Sequence, residues 1–188
     1  MEDGIIFRNG EIIEGRYEVI REIGRGGMST VYLVRDIRLR KDWALKTVKK
    51  EAEDRENEPL RRSLLTEAEM LKKLEHPLLP RVIGVVETEQ CFGVLMDYIE
   101  GRTLGTVLKT EGAQPETRVI AWAKQLCSVL LYLHSCDPPV IYRDMKPDNI
   151  MLRPDGSIAL FDFGIAREYK LCREGDTQSL GTFGYAAP

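Results

Sequence analysis

The chain has 188 residues, 43% hydrophobic and 30% charged, a balance that suits a globular protein with a sizeable core and excludes disordered and fibrous classes. With 27 basic residues against 30 acidic ones its net charge is -3, so no overall positive field draws it toward nucleic acid or anionic lipid, and phosphate binding must be local. The four cysteines, Cys91, Cys127, Cys136 and Cys172, form no C-x-x-C pair, have only His76 and His134 to complete a zinc site, and read as reduced thiols. No run nears the roughly 20 apolar residues that cross a bilayer, and the start MEDGIIFRNG lacks the regions of a signal peptide. We therefore expect no membrane segment in this chain and a cytoplasmic location.

Residues 1–16 read as an N-terminal extension. The segment Tyr17 to Arg25, bounded by glycines, the β-formers of Val31 to Arg35 and the alternating Trp43 to Val48 predict a three-strand meander. From Leu60 to Leu74, apolar residues at Leu60, Leu64, Ala68, Leu71 and Leu74 predict an amphipathic helix that ends near His76-Pro77. Glu67 lies beside that stripe, where a carboxylate is costly unless it meets a cation. Strands are expected over Arg81 to Glu87 and Phe92 to Tyr98, then a turn at Glu100-Gly101, which sets a lobe boundary between 17–99 and 100–188. Pro115 suits the first turn of a long helix with Val119, Trp122, Ala123, Leu126, Val129, Leu130 and Leu133 on one face, stopped by Asp137-Pro138-Pro139. Beyond it, Pro154-Asp155-Gly156 separates Ile150-Met151-Leu152 from Ile158-Ala159-Leu160 as a hairpin.

The glycine-rich stretch Gly24-Arg25-Gly26-Gly27-Met28-Ser29-Thr30-Val31 lies between two predicted strands, where its N–H groups can close over phosphates. A plain turn is the other reading; a Rossmann loop is disfavoured because a strand follows, and Ser29 stands where the third motif glycine would be. In Trp43-Ala44-Leu45-Lys46 the period of two sets Ala44 and Lys46 on one face, a small side chain and an ammonium that suit a flat base beside phosphates. Most strand lysines face water, but an ion pair with Glu67 gives Lys46 a reason to turn inward.

The densest signal is Tyr142-Arg143-Asp144-Met145-Lys146-Pro147-Asp148-Asn149, followed by Asp162-Phe163-Gly164. These segments resemble the catalytic loop and D-F-G of the protein kinases. The resemblance runs from Tyr17 to Pro188, and the closing Gly181-Thr182-Phe183-Gly184-Tyr185-Ala186-Ala187-Pro188 is similar to the end of an activation segment, without the glutamate of A-P-E. Lys146 and Thr182 match the serine/threonine branch. Tyr142 in place of the usual histidine, with Gly-Gly-Met-Ser in the phosphate loop, resembles the eukaryotic-type kinases of bacteria.

The resemblance implies an α+β fold of two lobes: a small antiparallel sheet lobe with one helix, and a mainly helical large lobe whose lower helices lie outside this sequence. It implies ATP and Mg2+ or Mn2+ as cofactors, Ser/Thr-bearing proteins as substrates, and autophosphorylation. Asp144 would accept the substrate hydroxyl's proton, Lys146 would steady the transferring phosphate, and Asn149 with Asp162 would hold the metal. Asp148 would be structural. Lys46 with Glu67, the loop from Ile23 to Val31, Ala44, Met151, a hinge from Asp97 to Ile99 and the gatekeeper Met96 would bind the nucleotide. Leu71, Val82, Tyr142 and Phe163 would form the stack that links the lobes of active kinases. Thr177, Ser179 and Thr182 are candidate phosphosites, with Arg143 placed to pair with a phosphate. Without the lower helices, apolar surface is expected around Trp122 and Leu126. The alternative function is a nucleotide-binding pseudokinase or interaction module, against which stand intact Lys46, Asp144, Asn149 and Asp162.

Overall fold

The structure, a computed structural model, describes residues 6–26, 29–50, 58–164, 166–168, 182 and 184–185. It divides into two units: one runs to Lys73 and takes in Arg81–Tyr98, and the other is Leu74–Pro80 with the chain from Ile99 onward. Among the described residues no helix is long and apolar enough to cross a membrane.

In the first unit, β1 (Ile12–Ile13), β2 (Tyr17–Arg25), β3 (Thr30–Asp36), β4 (Lys41–Lys49), β5 (Val82–Glu87) and β6 (Cys91–Asp97) form an antiparallel sheet ordered β1-β2-β3-β4-β6-β5. Alternation sorts their side chains. Trp43 and Leu45 join Val19, Tyr32 and Val34 in one core, whereas Val48, Phe92 and Val94 pack on Leu64 and Ala68 of α1 (Glu58–Lys72). Lys46 is in phase with Ala44 and Val48, so it shares the face that meets α1.

Residues 6–16, read from the sequence as an N-terminal extension, pack on the first unit. β1 pairs with β2, and Phe7 and Ile13 are buried in the first core. The Tyr32 hydroxyl accepts the amides of Ile6 at 3.1 Å and Phe7 at 3.4 Å, and the Phe7 and Tyr32 rings meet edge to face. A two-residue strand and a single aromatic anchor are too short to register as periodicity.

In the second unit, β7 (Arg102–Thr103), β9 (Ile150–Leu152) and β10 (Ile158–Leu160) form a sheet ordered β10-β9-β7, while β8 (Val140–Ile141) pairs with β11 (Arg167–Glu168). The short helix α2 (Leu104–Glu111), not expected from the sequence, starts at Thr103, whose hydroxyl accepts the Thr106 amide at 3.0 Å. Helix α3 (Glu116–Ser135) buries Trp122, Val129 and Leu133. Apolar surface is exposed on this helix near Trp122: Trp122 itself lies under Arg118 and Leu126 is half-buried, but Val119, Ile120 and, farther on, Leu131 are exposed.

Leu74–Pro80 goes with the second unit, a grouping the sequence did not suggest. Backbone bonds explain it. Leu160 N donates to Leu78 O at 2.8 Å, Glu75 N donates to the Tyr132 hydroxyl at 2.7 Å, and the His76 and Tyr132 rings stack at 5.1 Å. Burial pushes the His76 imidazole below its ordinary value, and its Nδ1 accepts the Leu78 amide.

Candidate active site

Each unit carries one group of candidate residues. In the first, β4 presents Lys46 to α1, and its Nζ donates to Glu67 Oε2 at 2.7 Å and Oε1 at 3.0 Å. Glu67 is one of few buried charged residues, only 5% exposed, so the ammonium offsets a desolvation that would otherwise be costly. Nearby, the Thr47 hydroxyl donates to Thr30 O at 3.0 Å and ties β4 to the start of β3. Across the glycine loop Gly26 N donates to Ser29 O at 2.8 Å. A Cβ on Gly24 would meet nothing nearer than Val31 Cβ at 3.9 Å, and one on Gly26 nothing nearer than Ser29 O at 3.8 Å. Among the described residues, packing therefore gives no reason for either glycine.

The remaining nucleotide candidates of this unit lie on the same strands. Ile23 and Arg25 are on β2, with Arg25 held by Glu22 at 2.6 Å; Ser29 precedes β3, which carries Thr30 and Val31. Ala44 pairs with Met96, and Asp97 closes β6. Gly27 and Met28 lie outside the described residues. Leu71 is buried and Val82 half-buried in this unit.

In the second unit the chain from Tyr142 to Lys146 is irregular, with Arg143 at φ 65°, before a single 3-10 turn over Pro147–Asn149. That path gathers four side chains. Lys146 Nζ lies 2.8 Å from Asp144 Oδ2 and donates to the Thr182 hydroxyl at 2.8 Å, which in turn donates to Asp144 Oδ1 at 2.7 Å. Asn149, buried, donates from Nδ2 to Asp144 Oδ2 at 2.8 Å and to Asp144 O at 3.0 Å. Burial pushes the Asp144 carboxyl up, but the hydrogen bonds from Lys146, Thr182 and Asn149 outweigh it and hold the group below its ordinary 3.8. The result is a carboxylate kept ionised beside an ammonium, already accepting from a hydroxyl.

Asp162 follows at φ 64°, and its neighbour is tied back to the 142–149 loop, Phe161 N donating to Asn149 O at 3.2 Å. Tyr142 completes the tie, with its hydroxyl donating to Phe161 O and its ring edge-on to Phe163 at 5.0 Å. A tyrosine here therefore both stacks and hydrogen-bonds. Met151 is half-buried on β9, and Ile99 begins this unit. Sequence reasoning missed the place of Thr182, read among the phosphosites; it lies 38 residues from Asp144, a separation no motif spacing reports. Thr177 and Ser179 lie outside the described residues.

A family model for the protein kinase domain matches residues 17–188. The serine/threonine-protein kinase PrkC of Bacillus subtilis is 32% identical over 180 residues, covering 95% of this chain. PknB of Mycobacterium tuberculosis, also named a serine/threonine-protein kinase, is 33% identical over 94% of the chain. The cAMP-dependent protein kinase type 3 of Saccharomyces cerevisiae is 34% identical over 92%. The match spans 27%, 29% and 42% of those three proteins respectively.

Proposed function

Because the chain belongs to the protein kinase family, we propose that it carries the phosphoryl-transfer machinery of a serine/threonine kinase, moving the γ-phosphate of ATP to hydroxyls of proteins, itself included. The observation that carries this reading is the cluster of Asp144, Lys146, Thr182 and Asn149. Phosphoryl transfer asks a protein for positioning and charge rather than covalent chemistry.

The residues fit the groups they would hold. The glycines at 24 and 26 bring no side chain to the loop, so phosphate oxygens could approach its backbone closely. Asn149 spends its amide nitrogen on Asp144, and its oxygen, with the Asp162 carboxylate, would make a hard donor set for magnesium or manganese. The metal supplies neutralisation of phosphate charge. Lys46, steered by Glu67, would bind phosphate oxygens, and the backbone of 97–99 with Ala44 and Met151 would take the adenine. Asp144 Oδ1 would accept the proton of a serine or threonine hydroxyl as its oxygen bonds to the γ-phosphorus and the bond to ADP breaks. The Thr182 hydroxyl, 2.7 Å from that oxygen, has the contact such a substrate needs. Lys146 would balance the charge of the moving phosphoryl group. A supply of ATP and protein substrates fits a cytoplasmic location.

The test is transfer of label from γ-labelled Mg-ATP to the chain and to a generic basic protein, followed by phosphoamino-acid analysis. Label on serine or threonine is expected. Nucleotide binding without any transfer would favour the pseudokinase instead.

A further inference from the structure

Arg81 and Asp97 stand at the two ends of one stretch of the first unit: Arg81 opens it after Pro80, and Asp97 precedes its last residue, Tyr98. They are joined four times. Asp97 N donates to Arg81 O at 3.0 Å, and Arg81 N donates to Asp97 Oδ2 at 3.1 Å. The guanidinium adds a fork, Nε to Oδ2 at 2.8 Å and a terminal nitrogen to Oδ1 at 3.2 Å. The charge of Lys41 acts on the same carboxylate and helps hold it ionised.

The ladder alone does not account for so many bonds. The register between β5 and β6 shifts between Val82 and Gly84, so the regular pairing loosens just where β6 runs out. Nor does fold stability account for the side-chain fork: the Arg81 side chain is 66% exposed, and ion pairs so open to water stabilise a fold little. A bidentate guanidinium on a carboxylate fixes orientation more than it adds energy. What it orients is the residue from which the chain leaves β6. Farther along, Gly101 is fixed too, at φ 145°, because a Cβ there would come 2.1 Å from Leu152 O. The segment assigned to the adenine thus begins at a clamped residue.

We propose that Arg81 is a positioning residue for nucleotide binding, its fork on Asp97 holding the 97–99 backbone in the conformation that hydrogen-bonds adenine. This rests on the kinase reading above. A lysine in place of Arg81 would keep the charge but lose the planar fork.

The experiment measures the Kd of a fluorescent ATP analogue with magnesium, together with kcat, KM for ATP and Tm, in the full chain and in Arg81→Ala, Arg81→Lys and the exchanged pair Arg81→Asp/Asp97→Arg. Arg81→Ala is expected to raise Kd and KM about fivefold, with kcat at saturating ATP within about twofold and Tm hardly moved. Arg81→Lys should fall between, and the exchanged pair should recover part of the loss. Unchanged affinity in Arg81→Ala beside a binding wild type would overturn the proposal and leave the kinase reading standing. Failure of the wild type to bind nucleotide would overturn both. Should Arg81→Ala not fold, the comparison of Arg81→Lys with the exchanged pair decides in the same way.

Discussion

Lys46 and Asp144 show two ways in which a charged residue is made ready. Lys46 takes its direction from a buried partner, since Glu67 cannot be left alone at 5% exposure. Asp144 takes its ionisation from three donors that outweigh its burial. Since its folded value is lowered, the stability these donors contribute is fully present above the ordinary 3.8 and is lost as pH falls through the lower folded value. Glu67→Gln keeps the shape and removes the charge. It should lower kcat/KM at least about tenfold and destabilise the first unit by about 2 kcal/mol, less than for a fully buried pair because Lys46 is partly exposed. Urea melts and steady-state kinetics check both; unaltered turnover would mean that Glu67 does not orient Lys46.

At the scale of elements, α2 meets the 142–149 loop through a missing side chain. A Cβ on Gly105 would stand 2.0 Å from Asp148 Oδ1, so only glycine admits that carboxylate against the first turn of the helix. A carboxylate there also faces the positive end of the helix dipole. Glycine to alanine within a helix is ordinarily favourable by up to about 1 kcal/mol. Gly105→Ala should instead destabilise by about 1–2 kcal/mol and slow turnover, while the same change in an Asp148→Ala background should stabilise. Thermal melts of the four proteins decide. A stabilised Gly105→Ala single variant would show that the close approach has no energetic weight.

Over the whole molecule, legibility followed period and motif. The strand Lys41–Lys49 and the helix Glu58–Lys72 were readable because alternation and a three-to-four repeat leave a mark in the sequence. The closeness of Asp144, Lys146 and Asn149 was readable because the motif places them within six residues. The capped helix α2, the strand Ile12–Ile13 and the attachment of Leu74–Pro80 to Tyr132 were not, since each depends on a contact from elsewhere. The same holds for the site: Asp144 and Asn149 are five residues apart and share a motif, whereas Thr182 reaches Asp144 only through the fold. The proposed function rests on a lysine aligned by Glu67 and a glycine-containing loop in the first unit, and on an ionised carboxylate with its donors in the second. The most direct test of that account compares Mg-ATP binding with phosphate transfer in wild type and Asp144→Asn. The account predicts nucleotide affinity within about threefold and transfer reduced by about 10²-fold or more, the scale of a lost general base. Undiminished transfer by Asp144→Asn would contradict it.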